Sequence, residues 1–286
     1  MSLPVPQAAS ILLLRPGTAS PGQTPATATA AGPTEGAAPE IFTITRSSAL
    51  VFSAGVSAFP GGRIDPADEL AGYLWEGTDL TAWATLLGLD AGAAGMVLAG
   101  AVRETFEETG VLLAQHQDGT PVRPEALAGL PAEARIQVEH HGLDFGTLLS
   151  DHGLRPDVSG MRPLSRWITP EGPPRRYDTY FFAAALPAGQ APGVLSFEGV
   201  DSRWTTAADA LADFRAGIHQ LMAPTWSQFR TLLPAETLAQ ALTPTGPIQP
   251  VIPVVTSGDP HTATGFAEAE AFERDVAAGW TEARTE

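Results

Sequence analysis

The sequence predicts an α+β fold, an α/β/α sandwich with a mixed sheet between helices. Three observations carry this. Residues 9–15 (ASILLLR), apolar on both faces, and the β-branched residues 41–46 (IFTITR) read as strands, as does 177–186 (YDTYFFAAAL). Residues 96–109, 207–217 and 225–233 read as helices. Strands and helices do not alternate regularly, which disfavours a doubly wound parallel sheet.

The elements follow in order. The strand at 9–15 is apolar on both faces and is expected to be buried. Residues 16–40 are rich in Pro, Gly, Ala and Thr without periodicity and read as a flexible excursion, across which the strand at 41–46 could pair with the first. FPGGRIDPAD at 59–68 is a turn-rich segment, and 70–89 reads as helical. The strongest helix spans 96–109, with Gly110 where a C-cap glycine belongs and Val111 to Leu113 strand-like after it. Residues 122–166 hold helical pieces broken by Gly and Pro. From Pro244 the chain is again rich in Pro, Thr and Gly, with a weak terminal helix at 266–278.

Composition narrows the function classes. The 286 residues are enough for one large or two small domains, and 44% hydrophobic content predicts a packed core. A net charge of −16 without a basic stripe disfavours nucleic acid and anionic membranes as partners. A phosphate substrate would need a cation as intermediary. The absence of cysteine excludes disulfides, thiolate metal sites and cysteine nucleophiles. The opening MSLPVPQAASILLLRPG lacks a basic leader, and no apolar run approaches the ~18 residues of a membrane span. The expectation is a soluble, cytoplasmic protein.

One stretch poses the functional question. AVRETFEETGVLLA, at 101–114, puts Glu104, Glu107 and Glu108 at i, i+3 and i+4, on one helical face. Arg103 lies one turn before Glu107 and can pair with it. Three like charges repel, and they fall late in the helix, where the macrodipole disfavours them. Two readings are open at this point: a solvated acidic face held by an Arg–Glu pair, or a site for Mg²⁺ or Mn²⁺, which take carboxylate oxygen.

The pattern GG … R-E-x-x-E-E-x-G-V resembles the box of the Nudix hydrolases, G-x5-E-x7-R-E-U-x-E-E-x-G-U with U aliphatic. Gly61 and Gly62 fit its first half; Arg103, Glu104, Phe106, Glu107, Glu108, Gly110 and Val111 fit its second, with Phe106 aromatic in an aliphatic place. Gly62 and Arg103 are 41 positions apart where the uninterrupted box has 14, so 27 residues are inserted, and counting back eight from Arg103 puts Gly95 where the early glutamate is due. A long insertion inside the box resembles the branch of the peroxisomal-type coenzyme A diphosphatase. That resemblance runs over roughly residues 9–233. A coenzyme A signature, an arginine and a glycine spaced ahead of FPGG, is met at Gly55 but has Val51 in the arginine's place.

The resemblance implies a Nudix fold with the box as loop–helix–loop, and Mg²⁺- or Mn²⁺-dependent cleavage of a nucleoside-diphosphate derivative, coenzyme A or its acyl esters first. It implies Glu107 and Glu108 as main metal ligands, Glu104 as ligand or base, the Gly61 carbonyl as a further ligand and Arg103 as the residue that orients Glu107. Glu198 is the candidate second carboxylate, and Arg175 and Arg176 are candidates for gripping substrate phosphates. Alternatives are an ADP-ribose or NADH diphosphatase, or a non-catalytic nucleotide-sensing module, for which Gly95 is the foothold. The expected organisation is a hydrolase domain at 8–242, with a flexible insertion at 16–40 and a helical one at 63–98, then an extension at 243–286; a homodimer is compatible with the family. Asp65 and Asp68 are expected to cap the inserted helix, and His140 and His141 to lie on the surface. Five tryptophans, Trp75, Trp83, Trp167, Trp204 and Trp226, are expected in the core or as base-stacking surfaces.

Overall fold

A computed structural model describes residues 5–17, 37–46, 56–131, 133–173, 175–193, 199–255 and 263–283. Most of the excursion at 16–40, the Val51 and Gly55 positions, and Glu198 lie outside the described residues.

The chain forms β1 (Gln7–Arg15), β2 (Glu40–Arg46), β3 (Val56–Ala58) and β4 (Gly61–Arg63) before its first helices, α1 (Leu80–Leu87) and α2 (Ala91–Thr109). Next come β5 (Ala114–His116), α3 (Pro124–Leu127), α4 (Ala134–Glu139), α5 (Phe145–Asp151), β6 (Leu154–Pro156), β7 (Met161–Ile168), β8 (Asp178–Ala185) and β9 (Gly199–Thr206). The remainder is α6 (Ala207–Arg215), β10 (Gln220–Leu221), α7 (Ala223–Leu232), α8 (Leu238–Ala241), β11 (Pro250–Val251), β12 (Val254–Val255), β13 (Ala263–Thr264) and α9 (Ala269–Ala283).

Nine strands form one mixed sheet in the order β10-β3-β2-β1-β8-β7-β11, with β4 also on β1 and β9 also on β2. β1 and β2 pair antiparallel, and β1 runs parallel to β8. The continuous apolar run of β1 is explained by its two covered faces. Ile11 and Leu13 join Val97, Leu98, Ala101 and Val102 of α2 in one core. Leu12 and Leu14 face a second core built by α6, α7 and α9, with Phe214, Trp226, Phe229 and Phe272. Helices on both faces make this the expected α/β/α sandwich.

Several local expectations are refined. The helical stretch at 70–89 is divided: a 3-10 turn at Gly72–Trp75 ends before Gly77, whose φ is 77°, and α1 starts anew with Asp79 accepting from the Thr81 and Ala82 N–H groups. α2 begins five residues earlier than its apolar pattern suggested, at an Asp90 N-cap. Val111 to Leu113 is buried but is no strand. The Gln190 side-chain amide takes the place of a neighbouring strand, accepting from Leu112 N–H at 2.8 Å and donating to Leu112 O at 2.9 Å.

The segment beyond residue 243 touches the first core through Ile248, whose N–H donates to Leu86 O, and then packs onto the second face. β11 pairs with β7, Arg162 donates to the Thr243 carbonyl, and the Trp226 indole donates to Asp275 at 3.0 Å. Phe272 is fully buried and stacks on Phe214. Phe272→Ala is therefore expected to destabilise the fold by about 3–5 kcal/mol, the range for truncating a large core aromatic. Urea denaturation measures this, and a cost under about 1 kcal/mol would show that α9 is not part of the core.

Among the described residues no single helix is long and apolar enough to cross a membrane. α1 and α2 pass such a test only as a pair bent by 87°, and their apolar residues belong to the core.

Candidate active site

The glycine turn is fixed by β1. β4 lies antiparallel to it, with Ser10 opposite Gly61 and Ala9 opposite Gly62. Pro60 O accepts from the Ile11 N–H at 2.8 Å and from Ser10 Oγ at 3.0 Å. A Cβ on Gly61 would fall 2.3 Å from Ala9 O, so no other residue fits without moving β1. A Cβ on Gly62 would come within 2.5 Å of the Glu104 carboxylate, so the missing side chain is what lets α2 lay Glu104 against this turn. The Gly61 N–H donates to Glu108 Oε2 at 2.9 Å.

Arg103 uses all five of its N–H donors. Nε and Nη2 grip the two oxygens of Asp68 at 2.7 and 3.0 Å; Nη1 donates to Glu104 and Glu107, both at 3.0 Å; Nη2 also donates to Arg63 O at 2.9 Å. Burial alone would lower the Arg103 pKa, but the Asp68 hydrogen bonds and the field of the surrounding carboxylates hold it above the usual value. The Glu104 carboxyl is pushed up to about 7, first by burial and then by Glu107, against the opposing pull of Arg103. Burial raises Glu107 as well, again opposed by Arg103. The helix face is thus a sheltered, negatively charged surface with one cation among four carboxylates. A solvated face would not have this character.

Asp68 corrects two expectations. It does complete a capping box with Asp65, accepting from the Asp65 N–H, but its main partner is Arg103. It also stands six positions after Gly62, the spacing at which the box places its early acid. The insertion therefore falls between Asp68 and Arg103, and Gly95 is an ordinary helix position facing Trp75 and Leu80. Gly100 makes room for the pair, since a Cβ there would sit 2.8 Å from Asp68 Oδ2.

These residues border a cavity of about 640 Å³. Gly61, Gly62, Arg103, Glu104, Glu107 and Glu108 form one side. Tyr177, Thr179 and Phe181 form another; none of them is among the site residues expected from the sequence, although the two-residue period of a strand, which puts them on one face, is the signal that points to them. Arg175 and Arg63 also line the cavity. Arg176 does not; its Nε donates to Thr169 O at 3.0 Å. Glu139 and His141 contribute from the end of α4. His140 and His141 are both exposed, as expected, but His141 takes a left-handed backbone (φ 55°) and borders the cavity. None of the five tryptophans lines it; Trp75, Trp167 and Trp226 are core.

Among the described residues no three His, Asp or Glu side chains converge on one point. Arg103 draws Glu104 and Glu107, and the Gly61 N–H draws Glu108. The donors nonetheless suit a hard cation in kind: carboxylate oxygens, two of them raised by burial, beside a glycine turn in a cavity open to ligands.

A mixed sheet between helices, with a glycine turn and an Arg-braced glutamate helix at one cavity, is the arrangement of the Nudix fold. The family model for the NUDT19 Nudix domain matches residues 95–232. The chain is 24% identical over 217 residues to the acyl-coenzyme A diphosphatase NUDT19 of Xenopus laevis, covering 65% of this chain and 57% of that protein. It is 30% identical over 182 residues to the protein of the same name from Gallus gallus, covering 51% and 48%. It is 32% identical over 143 residues to that of Homo sapiens, covering 46% and 37%. The chain thus spans about half the length of the curated relatives it matches. A Nudix hydrolase structure from Alicyclobacillus acidocaldarius superposes with a TM-score of 0.62 at 24% identity, covering 85% of this chain and 99% of that one, which shows the fold.

Proposed function

We propose that this chain is a divalent-metal-dependent diphosphatase that cleaves the diphosphate linkage of coenzyme A or an acyl-coenzyme A. The observation that carries the reading is the five-donor brace on Arg103, which holds two of the three helix carboxylates at the cavity while Asp68 anchors it from behind. The names of the relatives support the substrate class.

In this reading Glu107, Glu108 and the Gly61 carbonyl would hold the cation, with Glu104 as a further ligand or as base. Bound there, Mg²⁺ or Mn²⁺ neutralises diphosphate charge and lowers the pKa of a water. The chain's own residues do the rest. Arg103 keeps the carboxylates from swinging away, and burial keeps bulk water from screening them. Arg63 and Arg175 at the cavity wall suit bidentate contact with phosphate oxygens. Tyr177 and Phe181 offer aromatic surface for a nucleotide base. Glu104 is the alternative base where Glu107, Glu108 and the Gly61 carbonyl suffice to hold the cation. Glu198 stays a candidate second carboxylate from sequence alone.

A non-catalytic sensing module drew its support from Gly95, and Asp68 removes that support. The test is hydrolysis of acetyl-coenzyme A, coenzyme A, NADH, ADP-ribose and diadenosine polyphosphates, each with and without Mg²⁺ or Mn²⁺. The expected result is metal-dependent cleavage with coenzyme A derivatives at least ~10-fold ahead in kcat/KM, an energy gap of about 1.4 kcal/mol. Faster turnover of NADH or ADP-ribose reassigns the substrate; no turnover of any of them removes the enzymatic reading.

A further inference from the structure

The last turn of α2 is where the macrodipole and the glutamates conflict. Its final four carbonyls have no partner inside the helix. Two are satisfied by backbone: Phe106 O accepts from Gly110 N–H at 2.8 Å and Thr109 O from Gly193 N–H at 2.7 Å. The other two belong to Glu107 and Glu108, and one side chain takes both. Arg135 of α4 donates Nε to Glu107 O at 2.6 Å and Nη2 to Glu108 O at 2.9 Å.

The sequence of α4 explains how Arg135 arrives there. Ala134 and Val138, four apart, are buried in the core that α2 shares. Arg135 and Glu139, also four apart, form the adjacent stripe, and Glu139 reaches the cavity wall. The guanidinium meets the negative end of the α2 dipole, and the charges of Glu139 and Glu108 face it.

We propose that Arg135 is a positioning residue for the carboxylate face: by clamping the main chain of Glu107 and Glu108 it fixes where their side chains start and offsets the dipole that opposes their charge. This rests on the metal-site reading above. Arg135 touches neither substrate nor cation; it acts through two ligands from an element outside the Nudix box.

The test is Mn²⁺ binding, followed by electron paramagnetic resonance, on the full chain as wild type, Arg135→Ala, Arg135→Lys and Glu107→Gln, with Phe272→Leu as a control destabilised far from α2. Arg135→Ala is expected to raise the Mn²⁺ Kd by about 10-fold, within the range for residues that orient metal ligands, and to lower kcat with KM changed by less than about twofold. Arg135→Lys, with one point charge in place of a fork, should recover part of the loss. Phe272→Leu should leave the Kd unchanged at a comparable fall in Tm, which separates positioning from general loosening. If Glu107→Gln abolishes binding while Arg135→Ala leaves the Kd at the wild-type value, the Arg135 proposal is overturned and the metal site stands. If Glu107→Gln binds Mn²⁺ like wild type, the metal-site reading falls and takes this proposal with it.

Discussion

Glu107→Gln is expected to lower kcat/KM for acetyl-coenzyme A by about 10³-fold, the loss of several kcal/mol of charge stabilisation in the transition state. The substitution keeps the side chain's shape and removes one negative charge from the three on the helix face, of which Glu107 is the buried one. Stability should not fall with activity. Glu107 is 6% exposed and held above its normal pKa chiefly by burial, so a neutral amide relieves a desolvation cost, while Arg103 keeps Asp68 and Glu104. Steady-state kinetics beside a thermal melt decide the matter. A variant retaining more than about a tenth of wild-type turnover would mean that the acidic helix face does not carry the chemistry.

Asp68→Asn should damage both properties. The Asp68 and Arg103 side chains are 1% and 7% exposed, and the pair is bidentate. Removing one partner of such a buried pair costs about 3–5 kcal/mol. For a domain of this size that is a fall in Tm of roughly 10 °C, readable by calorimetry. Activity should fall with it in the surviving folded fraction, because a guanidinium freed from Asp68 turns toward Glu104 and Glu107 and neutralises them. A Tm within about 2 °C of wild type would show that Asp68 is a turn cap and no more.

The sequence was a good guide where one rule dominated. β1, α2 with its Gly110 cap, β8, α6 and α7 each had a clear period or a clear stop signal, and each formed within a few residues of its expected bounds. Where two parts of the chain must be counted together, sequence alone misleads. Counted backward from Arg103 along a continuous helix, the early box position falls on Gly95. Counted forward from Gly62, the same spacing reaches Asp68, and only the ion pair across the insertion shows which count is physical. Arg135 carried no signal, since a side chain that clamps two carbonyls from another helix has no local pattern. Arg175 and Arg176 were equal in sequence; a single hydrogen bond to Thr169 O turns one of them away from the cavity. Glu139 and Arg63 became visible only when α4 and β4 met at the glutamate helix.

The joint between Asp68 and Arg103 has a further consequence for how the box tolerates change. The two residues are 35 apart, where eight positions separate their counterparts in an uninterrupted box. Loop-closure entropy grows only with the logarithm of length, so the longer span costs about 1 kcal/mol more to close. Leaving either partner of the buried bidentate pair without the other would cost more than that, about 3–5 kcal/mol. The box is thus held as a spatial assembly, and its two halves can drift apart along the chain without losing register in space. Lineages are then free to lengthen, shorten or replace what lies between them, and that stretch, carrying Leu74, Trp75 and Leu87 into the core, becomes a place where new packing can be tried while the chemistry is left alone.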